Sequence, residues 1–244
     1  LAGNLIEFVA ETGSTSDDLA ARLRGGELVS EGVWLVADRQ ISGRGRRGRT
    51  WLDGKGNFMG STVIHCRFGD PDPATISLVA GLAVHAAISL MLADDAQLLL
   101  KWPNDVMIGQ AKLAGILLER AGDSVVVGIG VNLVAAPSLA DRASASLGEF
   151  GAAPHRDRFA ADLARLFDSE LERWRSFGLE PLVRRWLTAG HPVGTSLRTT
   201  DAGGMPLDGT FAGLTADGAL QLRLPDGRTH IVNAGEVHFA GPDH

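Results

Sequence analysis

Four arginines stand among three glycines in GRGRRGRTW, residues 43–51, and the stretch from Arg39 to Trp51 holds five arginines and no acid. Arginine is permanently charged, planar and able to grip a carboxylate or phosphate with two donors. Glycine lets the backbone reach positive φ and bring its N–H groups close to an anion. The loop is therefore suited to an anionic ligand. Gly43, Gly45 and Gly48 also spell G-x-G-x-x-G. A dinucleotide site needs that motif to open a helix and to be followed about twenty residues later by an acid. A kinase needs a lysine on the next strand, then H-R-D and D-F-G. Here the loop runs into LDGKGNFMG and the strand-like STVIHC, with Arg67 and Phe68 where the acid would fall. Neither family is expected.

Three further stretches combine polar chemistry with permissive backbone. In KWPNDV, Lys101 to Val106, Pro103 ends a strand and Asn104–Asp105 favour a bend. In KLAGIL, Lys112 stands at the head and small Ala114 and Gly115 permit close approach of backbone or ligand. In GIGVNL, Gly128 and Gly130 interrupt an apolar run beside polar Asn132. Singly, each has an ordinary structural explanation, since lysines at strand starts are usually solvated and strand glycines relieve packing. Together with the basic loop they describe a site for a small polyanion.

The body that carries these residues is acidic. The 244-residue chain has a net charge of −6, which becomes −11 when the five arginines of residues 39–51 are set aside. A general nucleic-acid binder spreads Lys and Arg over a whole face, so nucleic acid is not an expected partner. The single cysteine, Cys66, excludes an internal disulfide and a thiolate metal cluster. LAGNLIEFVAE has no basic n-region, which argues against a signal peptide and for a cytoplasmic protein. From Ile76 to Ala93 no acid, Lys or Arg occurs. His85, the Ser/Gly interruptions and the lack of flanking anchors read this run as a helix buried on most sides rather than a membrane span.

LIEFVA reads as a strand, Ser14 to Asp18 as the start of a helix ended by Gly25 and Gly26, and GVWLVAD as the strand feeding the arginine loop. After the buried helix come strand-like QLLLKW, KLAGILLER and SVVVGIGVNL, then helical spacing from Arg156 to Trp174 and a second helix through EPLVRRWLTAG to Gly190. Beyond Gly190, TSLRTT, GTFAGL, ALQLRL and THIVNA are short strands separated by DAGG, TADG and PDGR. Val193 to Phe239 is therefore predicted to be a small all-β unit of the barrel type.

GSTS (13–16), QISGRGRRGRTW (40–51), KWPNDV, KLAGIL, GIGVNL and the terminal β unit follow one another in the order found in the biotin protein ligases, and the chain resembles that family over nearly its whole length. The resemblance implies an α+β fold: a class II synthetase-like catalytic domain with a mixed, mainly antiparallel sheet over residues 1–190, then a small SH3-like β barrel over 191–244. It implies activation of biotin by ATP, with Mg²⁺, to biotinyl-5′-AMP, and transfer to a lysine of a biotin carboxyl carrier protein, by a monomer or homodimer. Ser14, Thr15, Ser16, Gln40, Gly43, Arg44, Gly45, Arg46, Lys112 and Gly115 would form the biotin site. Arg44, Arg46, Arg47, Trp51, Lys101, Asn104, Lys112 and Asn132 would form the ATP site.

In that scheme Lys112, Arg44, Arg46 and Asp105 would be catalytic. Asp105 would either hold Mg²⁺ or receive the proton of the incoming lysine. Ser14 could instead simply cap a helix, Trp51 could be core, and Arg47 and Arg49 could brace the loop. Ser16 departs from the Asn of many relatives. Only a dozen residues precede Ser14 beyond Leu1, so the winged-helix domain of repressor-type members is not expected within this sequence. A lipoate or other acyl-adenylate ligase, and an RNA-binding module gripping through the arginine loop, are the alternatives.

Overall fold

Seven strands rich in Val, Ile and Leu build the larger sheet of the computed structural model, which describes residues 5–93, 97–139, 142–151, 153–200 and 204–240. They are β1 (Ile6–Thr12), β2 (Trp34–Gln40), β3 (Phe58–His65), β4 (Leu98–Lys101), β5 (Asp105–Ile108), β6 (Ala111–Ala121) and β7 (Ser124–Val131). Their order across the sheet is β1-β2-β3-β7-β6-β5-β4. Only β1 and β2 are parallel, because the helix α1 (Thr15–Arg24) carries the chain back between them; every other pair is antiparallel.

Both faces of the central strands are covered, which is why β7 is buried at all eight positions and reads as a nearly unbroken apolar run. One face packs on α1, through Leu19 against Leu35, Val63 and Val126. The other packs on α2 (Ile76–Ser89), behind which lie α3 (Arg156–Phe177) and α4 (Leu179–Ala189). The apolar run expected to be a buried helix is one, but it ends at Ser89 rather than Ala93. No helix among the described residues is long and apolar enough to cross a membrane. The four-residue β5 was not expected, because the turn signal of Asn104–Asp105 masks the strand that starts inside it.

The second sheet contains β8 (Ser196–Thr200), β9 (Pro206–Leu214), β10 (Leu220–Arg223), β11 (Thr229–Val232) and β12 (His238–Phe239), in the order β11-β10-β9-β8-β12 and antiparallel throughout. It is welded to the first by buried contacts. Trp102 Nε1 donates to the Gly218 carbonyl at 3.0 Å, and the His191 backbone N–H donates to the Leu100 carbonyl at 3.1 Å.

His191 itself makes the joint acid-sensitive. Its ring is 1% exposed, lies 4.2 Å from the Phe211 ring centroid and touches Trp186 and Phe239, and neither nitrogen has a hydrogen-bond partner among the described residues. Burial, reinforced by the charge of Lys101, pushes it down from 6.5 to about 4. The unfolded chain therefore binds a proton that the folded chain refuses between those two values. Stability is fully present above pH 6.5 and is lost as pH falls toward 4, by on the order of 3 kcal/mol from this one group. Thermal melts should show that loss, and His191→Phe should flatten it; a mutant profile parallel to that of the parent would clear His191 of the effect.

Candidate active site

The site is built on the part of the sheet that α1 leaves bare. Side chains alternate along a strand, so the face on which Val126 meets α1 is continued by Gly128 and Gly130, opposite Leu117 and Gly115 of β6. Larger residues would fill the space. A Cβ at Gly130 would lie 2.3 Å from the Trp51 ring, and one at Gly128 would lie 2.4 Å from Ser16 Oγ.

Above the floor is a buried polar cluster. Thr15 donates from its backbone N to Gln40 Oε1 at 2.7 Å and from its hydroxyl at 3.1 Å. Ser61 on β3 sits within 2.7 Å of Thr15 Oγ1 and 2.9 Å of Ser16 Oγ. Ser14 caps α1 by accepting from the Asp17 N–H at 3.4 Å. Hydroxyls and an amide held this way, rather than apolar side chains, suit a ligand with its own donors and acceptors. They line a cavity of about 450 Å³ that also takes in Arg44, Gly45, Arg46, Lys112 and Gly115.

The arginine loop closes on itself. The Trp51 N–H donates to the Gly43 carbonyl at 2.9 Å, and the Gly45 N–H to the Arg49 carbonyl at 2.7 Å. A Cβ on Gly43 would stand 2.6 Å from the Trp51 carbonyl oxygen, so the loop ends meet only at glycine. Between them is a 3₁₀ turn, Arg46–Gly48, with Arg47 and Gly48 at positive φ. The next element is the strand β3 and not an α-helix, in keeping with rejection of a dinucleotide fingerprint.

The four arginines have different duties. Arg44 reaches Asp17 at 2.5 Å and Glu119 at 2.9 Å. Arg46 donates to Asn104 Oδ1 and to the Gly235 carbonyl, both at 2.8 Å, and burial draws its guanidinium below the usual arginine value. Arg49 forks onto both carboxylate oxygens of Glu236, the second at 2.8 Å. Arg47 is exposed and has no ion-pair partner among the described residues.

The turn between β4 and β5 supplies the facing wall. Its Trp102–Pro103 peptide is cis, and Asn104 is tied to β6 by donating Nδ2 to the Ile116 carbonyl at 2.8 Å. Lys112 Nζ lies 2.5 Å from Asp105 Oδ1 and 5.9 Å from the Trp51 ring centroid. Asn132 is 2% exposed and donates Nδ2 to the Ala145 carbonyl at 3.1 Å, which braces the loop behind the cleft. Burial also lowers Lys101 from its ordinary value. These residues, with Arg46, Arg47 and Trp51, line a cleft of about 840 Å³. The cleft and the smaller cavity share Gly45, Arg46, Trp51, Asn104 and Lys112, so a ligand in each would meet at that wall.

Residues 11–133 match the Biotin/lipoate A/B protein ligase family, and residues 198–239 match the Biotin protein ligase C terminal domain. The chain belongs to the biotin protein ligase family. It is 37% identical to a biotin–[acetyl-CoA-carboxylase] ligase of Paracoccus denitrificans, over 96% of this chain and 100% of that protein. A ligase of the same description from Mycobacterium tuberculosis is also 37% identical, over 95% of this chain and 88% of the relative. The fold is that of the Aquifex aeolicus biotin protein ligase in complex with biotin and ATP, with a TM-score of 0.85 and 24% identity over 97% of this chain and 99% of that one.

Within this chain the candidate residues converge on the two joined cavities, with one exception: Gly43 lines neither and serves to close the loop. Ser14 is both helix cap and cavity wall. Trp51 lies against the bare glycines with its indole N–H buried and without a partner among the described residues. Ser61, Arg142 and Glu236 also line the cavities and escaped the sequence reading. Ser61 looks like any strand serine until the fold sets it beside Thr15, and Glu236 reaches the site from the loop between β11 and β12, 187 residues away from Arg49.

Proposed function

We propose that this chain joins biotin to ATP, forming biotinyl-5′-AMP and pyrophosphate, and then transfers biotin to a lysine of a biotin carboxyl carrier protein. The observation that carries this reading is the shared wall of Arg46, Trp51, Asn104 and Lys112. A carboxylate in the smaller cavity and an α-phosphate in the larger would meet beside the Lys112 ammonium. The Thr15, Ser16 and Gln40 cluster takes the ureido ring of biotin, and Arg46, Arg47, Lys101 and Lys112 face the nucleotide.

In the first step a biotin carboxylate oxygen attacks the α-phosphorus and pyrophosphate leaves with the electron pair of the bridging bond. Both reactants are anions, and Arg46 and Lys112 offset the charge that gathers between them. In the second step a neutral lysine nitrogen attacks the acyl carbon, the acyl C–O bond breaks, AMP departs with its electrons and the surplus proton passes to Asp105. Among the described residues no group of three His, Cys, Asp or Glu could hold a metal ion. The described residues that line the cleft include two carboxylates, Asp105 and Glu236, each already paired, with Lys112 and with Arg49, so Mg²⁺ would arrive on the phosphates rather than on a dedicated protein site. Mg²⁺ would supply further neutralisation of the phosphates.

Exchange of labelled pyrophosphate into ATP tests the reading. Biotin should support it and lipoate should not. Exchange with lipoate in place of biotin would make this a lipoate-type ligase, and RNA affinity with a steep salt slope and no exchange would replace the enzyme by a binding module.

A further inference from the structure

A third cleft, of about 1000 Å³, opens between the N-terminal turn of α2 and the second sheet, on the side of the molecule where α2 covers β6. Its inner end is formed by Arg46 and Asn104, the same hydrogen-bonded pair that belongs to both cavities of the candidate active site. Three spaces thus meet at one pair of side chains. Two are accounted for by biotin and ATP, and the proposed reaction has three reactants.

We propose that this cleft is the approach of the acceptor lysine of the carrier domain, an inference that rests on the ligase reading above. The chemistry changes along it in the sense a lysine requires. The rim carries two exposed carboxylates, Asp72 before α2 and Asp217 in the loop between β9 and β10. They attract an ammonium. The middle is apolar, lined by Leu78, Trp102, Ile116 and Leu118. There the charged form is disfavoured and the proton is shed back to solvent at the rim, which leaves the neutral amine that is the nucleophile. At the inner end Arg46 is the one cation among the described residues that line the cleft, and it admits a neutral amine more readily than an ammonium. Neither biotin nor a nucleotide fits this polarity, since both bring an anion to an acidic rim.

The rim belongs to both units. Ala74 and Ser77 come from the first, and Asp217, Asn233 and Ala234 from the second. A carrier seated there would span the joint that Trp102 makes by donating Nε1 to the Gly218 carbonyl. The second sheet would then serve recognition of the protein substrate while also holding the arginine loop.

Two variants test the assignment. Ser77→Trp obstructs the rim, and Asp72→Asn with Asp217→Asn removes its charge while keeping the side-chain oxygen with which Asp72 caps Ala74. Both should retain biotin-dependent pyrophosphate exchange and pass the acyl group to hydroxylamine, a nucleophile small enough to need no groove, at the parental rate. For the carrier domain, kcat/KM should fall about tenfold or more with Ser77→Trp, and KM should rise several-fold with the double Asn variant, equivalent to about 1.4 kcal/mol per factor of ten. If Ser77→Trp loses exchange or does not fold, the double variant decides. Parental carrier kinetics in the double variant, or a parallel fall in the hydroxylamine reaction, would overturn the proposal. Absence of exchange in the parent protein would instead overturn the ligase reading.

Discussion

Lys112→Ala should lower biotin-dependent adenylate formation by about 10²–10³ while leaving the fold in place. The rate effect has two sources. Among the described residues Lys112 and Arg46 are the two cations on the wall common to both cavities, so loss of Lys112 removes half of the neutralisation available at the point where a carboxylate and a phosphate must meet. It also strands Asp105, whose Oδ1 lies 2.5 Å from Lys112 Nζ with both side chains less than one-fifth exposed. An uncompensated carboxylate in the cleft repels ATP and biotin alike. The backbone has no need of the side chain, because the Lys112 N–H donates to the Ala143 carbonyl and its own carbonyl accepts from Ala145.

The two sources separate in a double variant. Lys112→Ala with Asp105→Asn removes the stranded charge and should recover part of the exchange rate lost in Lys112→Ala, leaving the deficit due to missing neutralisation. Pyrophosphate exchange with a thermal melt on each protein checks this. Near-normal exchange by Lys112→Ala would move the role to Arg46 or Lys101.

Most of this site is legible in the sequence because its chemistry is local. The arginine loop, the Asn104–Asp105 bend and the head of KLAGIL are each written in fewer than a dozen consecutive residues, and their types announce what they can bind. What escapes is non-local. Ser61 joins Thr15 and Ser16 only through pairing of β3 with β7, which sets Ser61 opposite Gly128 and both on the face beside α1. The glycines of GIGVNL are visible as interruptions, but that they leave room for Trp51 and Ser16 depends on the same register. Glu236 and Gly235 read as the end of an ordinary β unit, whereas they anchor Arg49 and Arg46. Helix ends are legible where capping residues write them, as Ser14 and Gly25 do for α1, and not where an apolar run alone marks the helix: the run from Ile76 stays apolar after the helix has stopped at Ser89.

Arg46→Gly should give an enzyme that still makes biotinyl-5′-AMP but no longer keeps it. A mixed anhydride is reactive toward water and amines, so a ligase that builds it first must hold it covered until the acceptor arrives. Arg46 is the loop arginine placed to do so. It lines both cavities and the third cleft, and its guanidinium already spans the gap from Asn104 to Gly235 in the loop between β11 and β12. Arg44 is engaged by Asp17 and Glu119, and Arg49 by Glu236, so neither is placed to take over. Two charge-assisted contacts are worth a few kcal/mol, and their loss should raise the release rate of the adenylate by about 10² or more. Formation should suffer less, because Lys112 and Lys101 remain. Arg46→Lys should retain poorly as well, since an ammonium cannot bridge two acceptors with the planar fork of arginine. Released adenylate would label bystander lysines. With a pKa near 10.4 these are only about 0.1% neutral at pH 7.4, so labelling should climb nearly tenfold per pH unit. The measurement is biotin incorporated into an unrelated protein, against adenylate release, across pH 7 to 9. A mutant that releases no more adenylate than its parent, and stays confined to the carrier, would place the latch elsewhere in the loop.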